Sequence, residues 1–314
     1  MTDRHSGTAY RSQVLLAVVL VAAGSLGTQL SSALAAGFFS GDSAVMSPAQ
    51  ASSIRFLIAG IVFCVALRPR LTGRNWGSIL IFAIAVACMN IFLYEAIERL
   101  PLGVAVTLDF LGPCAVALFY SRRIWEALCA LAALGGVALI SIGPTGYFDL
   151  AGYVFGIAGA VCFGMYTVFA ATIAKPSPTG ESSTHESGTD LSALALTVAV
   201  AGILTLPLSV PGLIKLGSTH LAGGLSTEQW TGAAIGLGML ALSALLGVVL
   251  PYVTDTLAGT ATSARVIGVL FALDPVFGAI IGYLWLGQVL SLQAIGGIVL
   301  VIIAGSMLVW ISAD

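Results

Sequence analysis

Two aspartates stand beside prolines inside apolar sequence, and they are the residues of this chain best placed to do chemistry. The first spot is Leu108-Asp109-Phe110-Leu111-Gly112-Pro113 and the second is Leu270-Phe271-Ala272-Leu273-Asp274-Pro275. Their prolines lie 162 positions apart (275 − 113), close to half of the 314 residues. A carboxylate in hydrocarbon is costly unless something pairs with it or water reaches it, so such acids mark solute or proton paths. A proline removes a backbone donor and loosens the helix beside the acid, which makes Pro113 and Pro275 expected helix breaks. Asp109 precedes its proline by four residues and Asp274 by one. That difference of three is nearly a helical turn, so both acids take similar faces of related helices. The chemistry is then proton coupling by Asp109 and Asp274, or the binding of an ammonium group. The plainer alternative is a pair of acids tied to hydroxyls or an arginine as structural glue. Two such spots at matching positions of two halves form the pattern of a secondary transporter.

Other polar residues fall inside apolar runs and extend the candidate binding set. Arg55 stands about six residues into its run, roughly 9 Å deep, and Asp109 about seven, roughly 10 Å. Arg55 either holds a substrate carboxylate or pairs permanently with Asp109. Asp274 enters from the other side at roughly 12 Å, so the two acids are expected to straddle the midplane of a core about 30 Å thick. Asn90 and Tyr94 share a helix face at i, i+4, and Tyr252, Asp255 and Thr256 do likewise further on. Either set lines a polar cavity, or Tyr94 is an aromatic anchor at an interface. Tyr166 and Thr167 join the same list.

The elements that must position these residues are membrane helices. The chain is 58% hydrophobic and 8% charged, against roughly 25% charged in soluble domains. Runs of about 20 apolar residues are expected near 14–36, 49–67, 76–94, 102–119, 124–142, 151–173, 191–209, 231–253, 266–286 and 291–311. Connections are short, which excludes an extramembrane catalytic or nucleic-acid-binding module. Val14–Ala23 followed by Ala33-Leu34-Ala35 resembles a signal peptide, but the apolar run continues past a usual h-region and is read as the first span. Arg4, Arg11, Arg68, Arg70, Arg74, Arg122, Arg123, Lys175 and Arg265 collect on one face if the N-terminus is inside, against Arg99 and Lys215 opposite. The positive-inside rule then makes both termini cytoplasmic. The expected fold is all-α: ten transmembrane helices as two inverted five-helix repeats, 1–146 and 147–314. Gly135-Gly136 and Gly296-Gly297 recur in the last span of each half. Gly156, Ala160 and Gly164, spaced by four, predict a close helix crossing. The polar stretch Lys175–Asp190 is expected to be a flexible cytoplasmic loop, and Pro211–Gln229 to be similar in character.

The stretch Met89–Arg123 (MNIFLYEAIERLPLGVAVTLDFLGPCAVALFYSRR) resembles the central signature of the threonine/homoserine exporter branch of the drug/metabolite transporter superfamily, EamA-type. Leu250-Pro251-Tyr252 with Asp255, Cys162–Tyr166, and Asp274-Pro275 through Leu286-Gly287 are similar to its second-half motifs, and Arg55 falls where the family carries an arginine. Asp109, Asp255 and Asp274 stand where glutamate is typical, and Gln288 replaces a glutamate. The resemblance implies an inner-membrane exporter of small neutral amino acids by proton antiport with alternating access, with a small-molecule substrate, protons and lipid as partners. An exporter of another small metabolite or drug is the alternative.

Rival classes are constrained by the residues themselves. His5, His185 and His220 all lie outside the runs, which removes intramembrane zinc sites and Ser-His pairs. No metal or cofactor is expected. Cys64, Cys88, Cys114, Cys129 and Cys162 lie within runs as small packing residues. An intramembrane aspartyl enzyme needs its two acids within hydrogen-bond reach, and the depth estimate separates them by roughly 8 Å. A passive channel is the third class and predicts flux indifferent to a proton gradient.

Overall fold

The computed structural model describes residues 3–39, 46–69, 71, 76–100, 102–141, 149–173, 191–221, 227–286 and 291–312. Its helices are α1 (Asp3–Phe39), α2 (Pro48–Leu67), α3 (Trp76–Arg99), α4 (Leu102–Phe119), α5 (Ile124–Ser141) and α6 (Leu150–Ile173), then α7 (Leu191–Leu221), α8 (Thr227–Ala244), α9 (Leu250–Ala261), α10 (Ala264–Leu270), α11 (Leu273–Leu286) and α12 (Leu292–Ser312). There is no strand among the described residues. A five-residue π-helical turn, Leu245–Val249, joins α8 to α9.

Hydrophobic residues cover both faces of these helices. On α1, Val14, Ala17 and Val21 are fully buried while Leu15, Leu16 and Val19 are exposed. Water would penalise that exposed face, whereas lipid accepts it, so a helix apolar all round belongs in a membrane. Among the described residues six segments are long and apolar enough to cross one: Ser12–Ala35, Pro48–Leu67, Trp76–Arg99, Leu150–Phe169, Leu191–Pro211 and Ile235–Ala261. Four shorter apolar ones accompany them: Leu108–Phe119, Ile124–Ile140, Val266–Ile281 and Leu292–Leu308. These ten fall on the ten runs read from the sequence.

Local chemistry sets several helix ends. Ser47 and Gln50 form a reciprocal capping box at the start of α2, with Pro48 as its first residue. The helix stops at Arg68, whose φ of 45° is left-handed and whose N–H returns to Cys64 O. Glu126, buried near the start of α5, accepts from the backbone N–H of Arg122 at 2.7 Å and of Arg123 at 3.3 Å. The Ser-Arg-Arg run therefore owes its sharp turn to a carboxylate three residues on.

Glycines decide where helices meet. A methyl group on Gly136 of α5 would come within 2.8 Å of Gly297 O, and one on Gly297 of α12 within 2.5 Å of Gly136 O. The α2–α7 pair is as close: a methyl on Gly60 would reach Ala199 Cα at 2.9 Å, and one on Gly202 would reach Phe56 O at 3.0 Å. The Gly156–Gly164 face of α6 receives α4, where Leu108 covers Gly156 and Gly112 lies on Ala160 and Gly164. Elsewhere α1 packs on α9 and α11, α6 on α3, and α10 on α4.

Three expectations change. Pro113 lies inside helix α4 and does not end it; beside the missing bond, Gly112 packs on the backbone of α6. The segment expected to be loop from Pro211 continues α7 to Leu221, and α8 begins at Thr227, because Pro207 and Pro211 are accommodated within the helix. The expected loop Lys175–Asp190 lies outside the described residues, as does most of the boundary between 1–146 and 147–314.

Candidate functional site

Six of the spans enclose one polar chamber of about 100 Å³. Helix α1 contributes Gly24, Ser25, Thr28 and Gln29; α3 contributes Met89, Asn90 and Leu93; α4 brings Val106, Asp109 and Phe110. From the second half come Phe163 and Tyr166 of α6, Gly247 of the π turn, and Pro251, Tyr252 and Asp255 of α9. Phe271, Asp274 and Pro275 complete the wall. The volume is well below the roughly 300–1,000 Å³ of drug-sized sites.

Asp109 is the chamber's least satisfied group. Only 6% exposed, it keeps Oδ1 without a hydrogen-bond partner, as does nearby Ser25 Oγ. Gly159 of α6 makes room for that oxygen, since a methyl there would sit 3.0 Å from it. Pro113 follows Asp109 by four residues, so the backbone carbonyl of Asp109 also loses its usual helical donor. Asp255, in contrast, accepts from Tyr166 Oη at 2.7 Å. Asn90 Nδ2 donates to Tyr252 Oη at 3.2 Å, joining α3 to α9. Thr167 and Thr256 turn their hydroxyls to helix carbonyls.

The chamber ends differently on its two sides. Toward one end, aromatic rings close it: Phe163 and Phe271 lie 5.1 Å apart, Tyr166 and Tyr252 5.2 Å, and Phe82 and Phe169 3.8 Å. Toward the other lies a polar layer around Arg55, which is 2% exposed. Its Nη1 donates to Tyr94 Oη and its Nη2 to Ser31 Oγ at 2.7 Å. Ser31 Oγ also donates to Ser243 O at 2.8 Å. This layer ties α1, α2, α3 and α8 together. Arg55 Nε has no partner, and among the described residues no carboxylate lies within ion-pair distance of the guanidinium.

Of the sequence candidates, Asn90, Asp109, Tyr166, Tyr252, Asp255, Asp274 and Pro275 meet on the chamber wall, while Arg55 and Tyr94 form the adjoining layer and Pro113 lies behind. Of the two roles expected for Arg55, the permanent pair with Asp109 is not formed: the guanidinium donates to two hydroxyls, and α2 does not reach the chamber wall. Asp109 and Asp274 share one cavity, and the turn at Phe271–Ala272 interrupts the helix that carries the second acid. Sequence reading missed the whole α1 contribution; its signal was Gln29, an amide within an apolar run. It also missed Gly247. Pro251 lacks an N–H for Gly247 O, and just before it the helix widens so that Leu250 N–H donates to Leu245 O. Among the described residues no three ligating side chains gather for a metal.

A helical bundle of membrane-crossing length around a small chamber lined by three acids is the architecture of a transport protein. Residues 150–310 match the EamA-like transporter family, about half the chain, and the chain belongs to that family. It is 27% identical over 259 residues to the threonine/homoserine exporter RhtA of Escherichia coli K12, covering 79% of this chain and 78% of that one. The threonine/homoserine exporter RhtA of Salmonella typhimurium LT2 is 28% identical over 249 residues, covering 76% and 74%. A protein known from its crystal structure superposes with a TM-score of 0.66 at 16% identity, over 96% of this chain and 99% of its own. The family is one of transporters, so the intramembrane aspartyl enzyme falls away.

Proposed function

We propose that this protein exports a small neutral amino acid of the threonine/homoserine kind across the inner membrane, by proton antiport with alternating access. The observation that carries the reading is Asp109, a buried carboxylate with an unpartnered oxygen on the wall of a small chamber. Such a group binds a proton or the cargo's ammonium, and competition between the two couples their movements. Asp274 shares the chamber as the second coupling acid, and Asn90, Tyr166, Tyr252 and Asp255 shape the pocket. The chamber's size favours a small metabolite over a drug, and the names of the RhtA relatives suggest which metabolite.

Alternation follows from two inverted five-helix repeats, 1–146 and 147–314, with both termini cytoplasmic. Reciprocal packing supports the repeat: α1 lies on α9 as α6 lies on α3, and α6 on α4 as α1 on α11. Asn90 bonds Tyr252, 162 positions on, the same offset that separates the two prolines, and Gly136 and Gly297 oppose each other. The test is counterflow of labelled threonine and homoserine in proteoliposomes, with and without a pH gradient. Asp109→Asn should insert normally and abolish gradient-driven export; unchanged export by that variant refutes the assignment.

A further inference from the structure

We propose that Gly247 is a window through which the cargo's carboxylate reaches Arg55, so that the chamber selects amino acids over plain amines. The inference rests on the reading above, in which Asp109 holds the ammonium. The chamber wall carries three carboxylates, from Asp109, Asp255 and Asp274, and no cationic side chain. A zwitterion needs a positive partner for its other end. The buried cation nearest in the sequence of layers is Arg55.

Two helices place Arg55's hydrogen-bond partners just beyond the wall. Ser31 follows the wall residue Gln29 by two on α1, and Tyr94 follows the wall residue Leu93 by one on α3. Both lie within one helical turn, about 5.4 Å of rise, of the chamber. Gly247 belongs to both layers. It lines the chamber, and a methyl group on it would collide with Arg55 Nη2 and Ser31 Oγ. Gly247 itself therefore puts no side chain between cavity and guanidinium, and only Ser31 shares the space.

Arg55 is also unsatisfied in the way a binding residue must be. Its hydrogen-bond partners are neutral hydroxyls, and its Nε has none. A carboxylate would replace those weaker acceptors with the bidentate geometry that guanidinium favours. The π turn gives the backbone at Gly247 a second way to bond, a habit of helices at functional sites.

The test compares L-threonine with 1-amino-2-propanol, the same molecule without its carboxylate, by ligand-dependent thermal shift of the purified full chain. Wild type should bind threonine at least about tenfold more tightly than the amine, and Gly247→Ala and Arg55→Gln should each bring that ratio close to one. A ratio unchanged in both variants, or an equal weakening of both probes at unaltered melting temperature, means Gly247 serves close packing alone and overturns the proposal. Where those variants do not fold, Arg55→Lys keeps the charge without the fork; it should lower the ratio, and a full wild-type ratio overturns the proposal. Equal binding of the two probes by wild type sinks this inference and leaves the amine site standing, whereas binding of neither sinks both.

Discussion

The two acid–proline spots share a composition and fold differently. Pro113 is deep within α4, which runs unbroken from Leu102 to Phe119. Pro275 is the third residue of α11, where a backbone N–H has no intrahelical acceptor and its loss costs nothing. There the chain turns at Phe271 and Ala272, and Asp274 N–H closes onto Phe271 O at 3.0 Å. Spacing accounts for the contrast. An acid four residues before a proline sits mid-helix and has its own carbonyl robbed of a donor. An acid one residue before a proline falls in the first turn of a new helix, where the dipole favours negative charge. Asp109 thus keeps a buried oxygen without a partner, while Asp274, the more exposed of the two, lies where a helix N-terminus favours its charge. The two spots also touch: a methyl on Gly268 of α10 would lie 2.6 Å from Pro113 O.

The sharpest way to break this comparison is to neutralise each acid. Asp109→Asn should lose roughly 30- to 4,000-fold in proton-coupled exchange, the range expected from about 2–5 kcal/mol for a buried charge partner. Asp274→Asn should lose no more than about tenfold, or about 1.4 kcal/mol. Equal losses in a proteoliposome exchange assay erase the distinction. A smaller effect tests what keeps α4 continuous. Gly112→Ala drives a methyl into the α6 backbone at Ala160 and Gly164 and should destabilise the protein by about 1–3 kcal/mol in thermal unfolding. No loss would mean that another contact holds α4 through Pro113. The smallest effect restores the missing donors. Pro113→Ala should add about 1 kcal/mol by giving the Asp109 carbonyl an N–H, while Pro275→Ala should change stability by less than about 0.5 kcal/mol. A stabilising Pro275→Ala would contradict the account of that helix start.

Much of this was legible from residue types. Hydropathy located ten helical segments, because lipid accepts apolar side chains on every helix face, and the intramembrane acids pointed to the chamber. What escaped depended on three-dimensional neighbours. Arg55 was expected beside Asp109 from equal depth along two spans, but depth says nothing about which helix stands between. Tyr94 and Asn90 share one face of α3, yet one turn of rise sends the first to Arg55 and the second to Tyr252. The π turn arises from Pro251 acting on a helix free to widen, and the sequence around it shows only another glycine in an apolar run. Pro211 reads as the start of a loop-like stretch and lies inside a helix, since neighbouring helices let a membrane span tolerate proline.

The seams at Gly136–Gly297 and at Gly60–Gly202 carry one more consequence. Backbone rests on backbone there, with Val301 and Ile140 the side chains that also touch the first seam. The outer pairs α5–α12 and α2–α7 therefore cannot draw closer at these points, and any residue larger than glycine would wedge them apart.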